Sequence, residues 1–597
     1  MNIQAFIRKQ RDDYQSKSIK IVDGLEFSQY NTLKLIELYA NNTFETGNTD
    51  ELGFEKGFLS VSADKVKRET TKTDLDRKDM NVESVDDSSV DGAVRSMLLR
   101  RKVSNWMNET KFGVLLNKFT RTRAKYGGVI VKKIVKNGKV ELRVPAWKDM
   151  ITDQTDVLGG CIIERHYYSP AELKSMEGVW DNVDLAISLS KQNKDDNRTT
   201  GNDTPSYYSE IYELHGILPE TYLYEDGDEN KYIPQMWVVA GIDSYSTNDD
   251  GTLKEDGIIL FKGEENELPY KYLSRESIEG RGLGVGVIEE LFQEQIWTNF
   301  TINEEQRLMR IAGKVFFQTP DKKLPANILK VDNGTIFKYD TAGMTQVNAV
   351  PSSLPQYKNT MVTWGNSADR KTNSQPAITG EGVPSNTPYA SLQLQNQELN
   401  SDFDYRREES ALFWEEVFMD WVIPQQIKEL KRDGALASEF SREELEWIDS
   451  KVANDLAKKA VKDALLAQDT LNYNPITQGD VESYTAEVLK NTPKAPIRKI
   501  TFPKGYFDNW EYKVRFYATN EARNKAVQDI TSSSILQALA QDPTLLTDPI
   551  KSKIFLPVLE RNGISPAVIK DIQANAGQQQ MGNPSALQQL QKQEVKA

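Results

Sequence analysis

Apolar positions recur with helical spacing over two unusually long stretches in the second half of the chain. The first extends from Val285 to Ala312 with no proline, and with no glycine after Gly286. The second extends from Tyr389 to Ile423 without either residue. At a rise of about 1.5 Å per residue, these stretches predict helices of roughly 42 and 50 Å. Globular helices average about three turns, so such lengths indicate a shaft or wall rather than a compact enzyme core.

A small insert and a third helix separate the two long stretches. Residues 313–354 contain the strand-like runs KVFFQTP and ILKVDNGTIFKYD, which predict two to four short strands. Pro355 opens a shorter helix, and the Gly/Pro-rich run up to Pro388 predicts a long loop. Pro424 is predicted to end the second long helix.

The first half of the chain mixes helical and strand patterns and predicts an α+β domain. Helical spacing dominates residues 1–60 and returns from Val94 to Phe119. The polar and charged residues 61–90 predict a surface loop or mobile arm. Strand patterns follow in VIVKKIVKNGKVELRVPAW, with a hairpin turn at Asn137-Gly138, and in CIIERHYY, YSEIYELHGIL, YIPQMWVVAGI and GIILFKG. Near the C-terminus, RKITFP and EYKVRFYA predict further strands.

Composition limits the class of protein. The chain has 597 residues, of which 38% are hydrophobic, and single cores stop growing near about 250–300 residues. Several units with their own cores are therefore expected. No run approaches about 18 apolar residues and the N-terminus lacks a signal-peptide pattern, so neither a membrane span nor secretion is predicted. The single cysteine, Cys161, excludes an intrachain disulfide and indicates a reducing compartment.

Charge is unevenly distributed along the chain. The net charge of −14 argues against a protein that coats DNA through Lys and Arg contacts to phosphates. Residues 313–371 nevertheless contain eight Lys or Arg, four Asp and no Glu, which gives this segment +4 and the remainder −18. A basic island between long helices indicates a local contact surface. The alternative is that short strands simply carry lysines on their edges.

The sequence lacks the motifs of nucleotide hydrolysis and of metal or nucleophilic catalysis. The glycines of 280–286 do not have GxGxxG spacing, and both Gly-Lys pairs precede valine, so no Walker A loop exists. His166 and His215, the only histidines, lie in strand patterns and are interpreted as ordinary strand residues. A zinc site would consist mostly of carboxylates, which is a poor set for zinc. Trp414 and Trp421 predict a packing stripe. We therefore predict no enzyme, no metal and no cofactor.

The stretch RGLGVGVIEELFQEQIWTNFTINEEQRLMRIAGKVFFQTP resembles the portal proteins, or head–tail connectors, of tailed bacteriophages. In that family a Gly-rich segment leads into a long helix bearing Gln and Asn four residues apart, here Gln295 and Asn299, and an insert follows. The downstream order is also similar: a shorter helix, the loop ITGEGVPSNTP, and a long helix starting with SLQLQNQELN. The resemblance covers about residues 280–425 well and the rest only by general order.

This resemblance implies a ring, normally of twelve identical subunits, around an axial channel at one capsid vertex. Double-stranded DNA would pass through the channel during packaging, retention and ejection. The expected partners are the terminase large subunit, the major capsid and scaffolding proteins, and head–tail adaptor or tail proteins, with no membrane. The location would be the virion, after synthesis in the host bacterial cytoplasm. Two alternatives stay open: another virion structural or adaptor protein with long helices, or a carboxylate-metal nuclease or hydrolase.

The implied fold is α+β and multidomain, with an α+β wing, a long-helix stem, a small β-rich clip and a C-terminal helical crown. The expected boundaries are wing 1–283, stem helix 284–312, clip 313–354, second stem helix 355–371, tunnel loop 372–388, long wing helix 389–423, second wing part 424–518, and crown with a mobile Gln-rich tail 519–597.

The resemblance also implies site residues. An acidic channel wall lets a duplex slide, whereas a strongly basic wall would hold its phosphates. The stem carboxylates would line the channel or pair with arginines of a neighbour; this set is Glu289, Glu290, Glu294, Glu304, Glu305, Arg307 and Arg310. The clip lysines would contact partner proteins or DNA phosphates at the channel exit; they are Lys322, Lys323, Lys330 and Lys338. The tunnel loop residues would be Arg370, Lys371, Gln375 and Glu381.

The first long helix carries an apolar stripe that a lone subunit would expose, and neighbouring subunits in a ring could cover it. The alternative is burial within the monomer. The stripe consists of Ile288, Leu291, Phe292, Ile296, Phe300, Leu308 and Ile311.

Overall fold

The structure is a computed structural model and describes most of the first 516 residues. The described residues are 2–50, 53–75, 80–84, 90–136, 138–192, 208–243, 245–247, 253–255, 257–312, 316–318, 345–347, 354–373, 389–440, 445, 448–449, 452–453, 456–459, 462–463, 479, 482–483, 486–487, 490, 497–502 and 505–516. The chain divides into two units, Met1–Phe516 and Tyr517–Ala597, and the second lies outside the described residues, as does the predicted crown.

The described part has the predicted α+β character. Its first elements are α1 (Ile3–Ser16), β1 (Ile19–Val22), β2 (Leu25–Phe27), α2 (Gln29–Ala40), α3 (Ser62–Thr73), β3 (Met80–Ser84), α4 (Val90–Glu109), α5 (Phe112–Tyr126), β4 (Gly128–Lys136), β5 (Lys139–Arg143), β6 (Met150–Ile151), β7 (Ile162–Tyr168), α6 (Pro170–Ser175), α7 (Val183–Gln192), β8 (Ser209–Pro219), β9 (Tyr232–Ala240), β10 (Tyr245–Thr247), β11 (Leu253–Glu255), β12 (Ile258–Glu264) and β13 (Tyr270–Ser274).

The second half of the described chain is dominated by helices. It contains α8 (Val287–Glu290), α9 (Phe292–Ala312), β14 (Phe316–Gln318), β15 (Thr345–Val347), α10 (Leu354–Lys371), α11 (Tyr389–Val417), α12 (Ile423–Asp433), β16 (Ala435–Glu439), β17 (Ile497–Thr501) and β18 (Tyr512–Phe516). Among the described residues, none of these helices or those of the first half is long and apolar enough to cross a membrane.

Two antiparallel sheets organise the first half. One has five strands in the order β12-β9-β8-β7-β6, and the other has three in the order β13-β4-β5. The predicted hairpin is confirmed, since Lys136 of β4 pairs with Lys139 of β5 across the turn. Gly138 has a φ of 73°, a left-handed conformation that the short hairpin turn requires and that glycine adopts without strain.

The largest core forms where α4, α5 and α11 meet. Trp414 and Trp421 of the predicted packing stripe are 0% and 3% exposed, which confirms that interpretation. The ring of Phe112 in α5 meets Trp414 edge to face, with ring centroids 5.0 Å apart. Phe418 packs on the same Phe112 ring, with centroids 5.3 Å apart. Such edge-to-face aromatic pairs add stabilisation beyond the area that they bury.

The prediction of a surface loop or arm at residues 61–90 is wrong, because α3 and β3 form there. The helix was hidden by polarity: its buried face carries Glu69, only 5% exposed, in addition to Val66. The carboxylate of Glu69 accepts hydrogen bonds from Arg275 Nε (2.6 Å) and Nη2 (3.0 Å). A paired charge therefore takes the place of an apolar side chain in the core, which hydrophobic periodicity cannot detect.

Both long helices differ from the predicted uninterrupted form. Leu291, which is fully buried, interrupts the first between α8 and α9 with φ −101° and ψ 9°. The second does not stop at Pro424 as predicted. It passes through a π-helical turn, Phe418–Val422, into α12 and ends at Gly434. Pro424 lies in the first turn of α12, where a missing N–H costs little.

Candidate functional site: an antiparallel helix pair

Helices α9 and α10 pack against each other in opposite directions. Near the start of α9, Glu294 accepts a hydrogen bond from Ser367 Oγ (2.9 Å) and forms an ion pair with Lys371 Nζ (2.8 Å). Both partners lie at the end of α10. The rings of Trp297 and Trp364 stack one turn further along, with centroids 6.1 Å apart. The residues that join the two helices therefore leave and return at the opposite end of the pair.

Two short strands mark the beginning and end of that connection. Phe316 of β14 pairs antiparallel with Val347 of β15, and Gln318 pairs with Thr345. This agrees with the lower end of the two to four strands predicted for residues 313–354, within the part of the insert that the structure describes. The predicted clip contacts lie outside the described residues, as do the tunnel-loop residues Gln375 and Glu381. The clip contacts are Lys322, Lys323, Lys330 and Lys338.

One face of α9 exposes large apolar side chains. Ile296, Trp297 and Phe300 are 50%, 45% and 53% exposed. We call these three residues the aromatic face. Positions 296 and 300 lie one above the other on a helix, so the exposure is continuous rather than scattered. Contiguous exposed apolar surface is typical of an interaction site.

The outcome for the predicted apolar stripe is mixed. Ile288 and Leu291 are buried within the subunit, at 3% and 0% exposure, and pack with Val66 of α3. Burial in the monomer, the alternative interpretation, therefore applies to the first turns. Exposure applies to the middle of α9, where Ile296 and Phe300 lie. Phe292 and Leu308 are half-buried, and the side chain of Ile311 lies outside the described residues.

An adjacent face of α9 carries a ladder of amide side chains. Gln295, Asn299 and Asn303 follow each other at four-residue intervals. Their side-chain oxygens accept hydrogen bonds from the backbone N–H groups of Val61 (2.8 Å), Leu59 (3.1 Å) and Gly57 (2.9 Å), respectively. Gln295 Nε2 also donates to the Leu59 carbonyl oxygen (2.6 Å). We call residues 57–61 the strap.

The spacing of the ladder explains why Gln and Asn four residues apart suit this helix. Four helical residues rise about 6 Å, and two residues of extended chain advance about 6.6 Å. Alternate N–H groups of an extended segment therefore meet successive amides of one helix face. A Cβ at Gly57 would lie 2.6 Å from Gln306 Nε2, so the exposed Gln306 side chain would have to move aside. The sequence showed the amides but not the strap, which lies more than 230 positions earlier.

Three of the predicted channel carboxylates have cationic partners in their own subunit. Glu289 accepts two hydrogen bonds from the guanidinium of Arg281, at 2.7 and 2.8 Å. Glu290 accepts one from Arg275 Nη2 at 3.0 Å. Burial raises the pKa of Glu290, and the Arg275 charge offsets only part of that rise. Glu294, the third, pairs with Lys371 as described above.

The remaining predicted stem residues lie further along α9. Arg307 pairs with Glu304 of its own helix at 3.5 Å, and Glu305 is half-buried. Arg310 pairs with Asp50 at 2.9 Å and covers the ring of Phe54. The arginines thus have partners in their own chain. Of the tunnel-loop set, Arg370 and Lys371 belong to the last turn of α10, and Arg370 is exposed.

A buried charge network connects the two sheets. Glu164 of β7 and Glu213 of β8 are directly opposite each other in the ladder, an arrangement that is destabilising without a cation. Lys132 of β4 supplies it, with Nζ 2.7 Å from Glu164 and 2.5 Å from Glu213. Glu164 and Lys132 are 0% and 4% exposed, and Arg143 of β5 also pairs with Glu164. The network fixes the three-stranded sheet against the five-stranded one.

Both histidines belong to this network. His215 contacts Glu213 (3.0 Å) and Glu265 (2.9 Å), and His166 contacts Glu213 (2.8 Å). Burial alone lowers the pKa of His215, but the two carboxylates raise it overall. Burial alone raises the pKa of Glu213, but the two histidines and the nearby ammonium hold it well below its ordinary value. The interpretation as ordinary strand residues located the histidines in strands but missed these carboxylate partners.

The same cluster has the geometry to hold a metal ion. Ligand atoms of Glu164, His166 and Glu213 lie within 4.8 Å of one another. However, Lys132 Nζ already contacts Oε2 of both glutamates, the oxygens closest to His166. An ammonium of the chain itself therefore neutralises the donor set, and a metal would have to displace it. The cluster gives no specific support to the carboxylate-metal enzyme alternative.

Comparison with known proteins adds no assignment, since the chain matches no family model and no curated protein.

Proposed function

We propose that this chain is the subunit of a viral portal, a ring-shaped channel at one capsid vertex through which double-stranded DNA is packaged, retained and ejected. The supporting observation is the helix pair: two antiparallel helices carry an insert at one end and an uncovered aromatic face along one side. This order of helix, insert and helix is the one on which the sequence resemblance rests.

The aromatic face is best explained by a second copy of the chain. The strap covers one side of α9 and α10 covers another, so the side with Ile296 and Phe300 is the one left without a partner in the described residues. A face that meets a different face of an identical copy generates a ring when the rotation closes. Desolvation of two half-exposed aromatic rings per subunit, Trp297 and Phe300, would then drive assembly.

The charge of the stem suits passage of DNA. From Val287 to Arg310 the helices contain five glutamates and two arginines, and both arginines are paired within the subunit. A wall of this kind offers few cations to the phosphates, so the duplex is not held in place. Because Glu289, Glu290 and Glu294 are paired internally and Glu304 pairs with Arg307, Glu305 is the better candidate for facing the channel. The clip lysines stay the proposed contacts for the terminase large subunit, and later for adaptor or tail proteins.

Assembly of the purified chain tests the proposal. Mass photometry and negative-stain microscopy should show rings with a central hole. The double variant Trp297→Gln/Phe300→Gln should remain monomeric, because the aromatic face is no longer apolar. A matched control, Val135→Gln/Ile217→Gln, changes two residues of similar exposure (62% and 65%) on other elements and should still form rings.

The outcomes separate the alternatives. Filaments or other assemblies of the wild-type chain would favour a different virion structural or adaptor protein. A stable monomer with metal-dependent nuclease activity would favour the enzyme alternative. Rings that survive the Trp297→Gln/Phe300→Gln change would remove the aromatic face from the subunit interface.

A further inference from the structure

A cavity of about 250 Å³ lies between α1, α2 and the edge of the five-stranded sheet. Its floor is β6, the edge strand, with the neighbouring residues of β7 and β8. One wall comes from α2, where Tyr30, Lys34 and Glu37 recur at helical spacing and share a face. The cavity is remote in sequence from the helix pair and has no part in the proposed ring contacts.

Aromatic rings form much of the lining. Tyr14 of α1 and Tyr30 of α2 meet edge to face at 6.0 Å. Trp147 is 2% exposed and is fixed by a hydrogen bond from Nε1 to the Gly128 carbonyl oxygen (2.8 Å). Tyr126 and Tyr212 complete the set. Rigid rings that border a cavity suit a flat ligand, since they can stack on it with little loss of conformational freedom.

The exposed charges at the rim of the cavity are lysines. Four cations and two carboxylates line the cavity: Arg11, Lys34, Lys148, Arg165, Glu37 and Asp149. Glu37 pairs with Lys125 (2.9 Å) and Asp149 with Arg165 (3.3 Å), and Arg11 pairs with Asp243 (2.6 Å). Lys34 and Lys148 are exposed at the rim. An anionic group entering the cavity would therefore meet these two lysines, whereas both arginines of the lining already have carboxylate partners.

Tyr14 and Arg165 also belong to the lining, but their polar atoms that lack a hydrogen bond within the described residues, the Tyr14 hydroxyl and Arg165 Nε, are buried away from the cavity. Gln29 is a polar neighbour of the Tyr14 hydroxyl. Polar recognition at this site therefore depends on Lys34 and Lys148 at the rim.

We propose that this cavity binds a single nucleotide, with the base between the aromatic rings and the phosphate near Lys34 and Lys148. A planar ring joined to an anion matches the lining more closely than a purely apolar or a purely anionic ligand does. The nucleotide comes either from the free pool or from the 5′-phosphorylated end of a DNA strand, because both present the same chemistry. The site does not depend on ring formation, so the two proposals stand or fall separately.

Calorimetric titration of the full chain with adenosine monophosphate tests the site. We expect one nucleotide per chain, and at least about tenfold weaker binding of adenosine and of inorganic phosphate, each of which makes half the contacts. Absence of binding at millimolar nucleotide would overturn the proposal, as would equal affinity for adenosine and adenosine monophosphate.

Variants locate the site. Lys34→Glu/Lys148→Glu alters only exposed rim residues, and it should weaken nucleotide binding at least about tenfold. The control Lys136→Glu/Lys139→Glu makes the same charge change on the β4–β5 hairpin and should bind like the wild type. Equal affinity in the rim variant and the wild type would refute the assignment.

Competition distinguishes the two sources of the ligand. An oligonucleotide with a 5′-phosphate displaces adenosine monophosphate if the strand end is the natural occupant, whereas the same oligonucleotide with a 5′-hydroxyl does not. If neither displaces it, the free nucleotide is the occupant. Both results support the cavity as a nucleotide site. Displacement by the 5′-hydroxyl strand to the same extent would contradict the proposed phosphate contact.

Discussion

Two sets of aromatic side chains on long helices have opposite environments in this molecule. On α11 and the π-helical turn that follows it, Trp414 and Phe418 are both 0% exposed. On α9, Trp297 and Phe300 are 45% and 53% exposed. Each set places a tryptophan and a phenylalanine three or four residues apart, the spacing of one helix face. The sequence patterns are therefore nearly equivalent, although the environments are not.

The difference arises from what the rest of the chain brings to each helix. Around Trp414, helix α5 supplies Phe112 and Phe119, each with its ring centroid 5.0 Å away. Around Trp297, the only ring from another described helix is Trp364, at 6.1 Å. An apolar helical stripe thus shows that a face needs a cover, but not whether the cover belongs to the same chain. The exposed set is the one that requires a partner.

Removal of a ring from the covered set should have the largest effect. Trp414→Ala leaves a cavity in the largest core, and such truncations cost about 3–5 kcal/mol of the free energy of unfolding. Urea denaturation followed by circular dichroism measures the loss. A loss below about 1 kcal/mol would mean that the core collapses around the deletion and that the contrast between the two sets is weaker than the exposures suggest.

Release of the strap should have an intermediate effect. Gln295→Ala removes the acceptor of the Val61 N–H and the donor to the Leu59 carbonyl, and unpaired backbone groups cost about 1–3 kcal/mol. Hydrogen exchange at the Val61 N–H should accelerate, because its acceptor is removed, whereas the Leu59 N–H keeps Asn299 as its acceptor. Gln293→Ala, an exposed amide on the same helix, is the matched control and should leave exchange unchanged. Equal acceleration in both variants would argue against the ladder.

Local patterns in the sequence predicted much of this fold. Alternation identified β7, β8, β9 and β12, and the Asn-Gly pair located the hairpin turn, because strand period and turn chemistry depend on adjacent residues only. The stripe of Trp414 and Trp421 was interpreted correctly as packing. These elements depend on interactions within a few residues of each other, which is why the sequence alone was enough for them.

Features that depend on distant residues escaped the sequence. Helix α3 was missed because Glu69 is buried by Arg275, more than 200 positions away. The continuation past Pro424 depends on a π-helical turn that the surrounding core stabilises. The opposition of Glu164 and Glu213 follows from strand register, which the pattern IIERHYY does not reveal. The amides of the ladder were visible in the sequence, but their partner in the strap was not.

The buried charge network between the two sheets should make the free energy of unfolding depend on pH. The pKa of His215 is raised from 6.5 by Glu213 and Glu265, so its contribution is complete below pH 6.5 and disappears as pH rises through the folded-state pKa. The pKa of Glu213 is lowered from 4.5, so its contribution is lost as pH falls below that value. Both contributions are therefore present together between pH 4.5 and 6.5.

Substitution of His215 isolates the contribution of this residue to the pH dependence of stability. The stability advantage of the wild type over His215→Gln should be largest near pH 6 and should shrink as pH rises, because the lost interaction requires the imidazolium. Urea denaturation at a series of pH values measures the difference. An advantage that stays constant or grows with pH would contradict the assignment of charge to His215, which Glu213, Glu265 and the ring of Tyr270 surround.

The smallest effect on the subunit itself is expected from the exposed set. Trp297→Gln/Phe300→Gln removes rings that are half in solvent, and substitutions of this kind change the free energy of unfolding by less than about 1 kcal/mol. The ring interface should respond differently: the wild-type unfolding midpoint should rise with protein concentration, since association stabilises the folded form, and the variant midpoint should not. A variant as unstable as Trp414→Ala would place both aromatic sets in subunit cores. The exposed face would then carry no argument for a neighbouring copy.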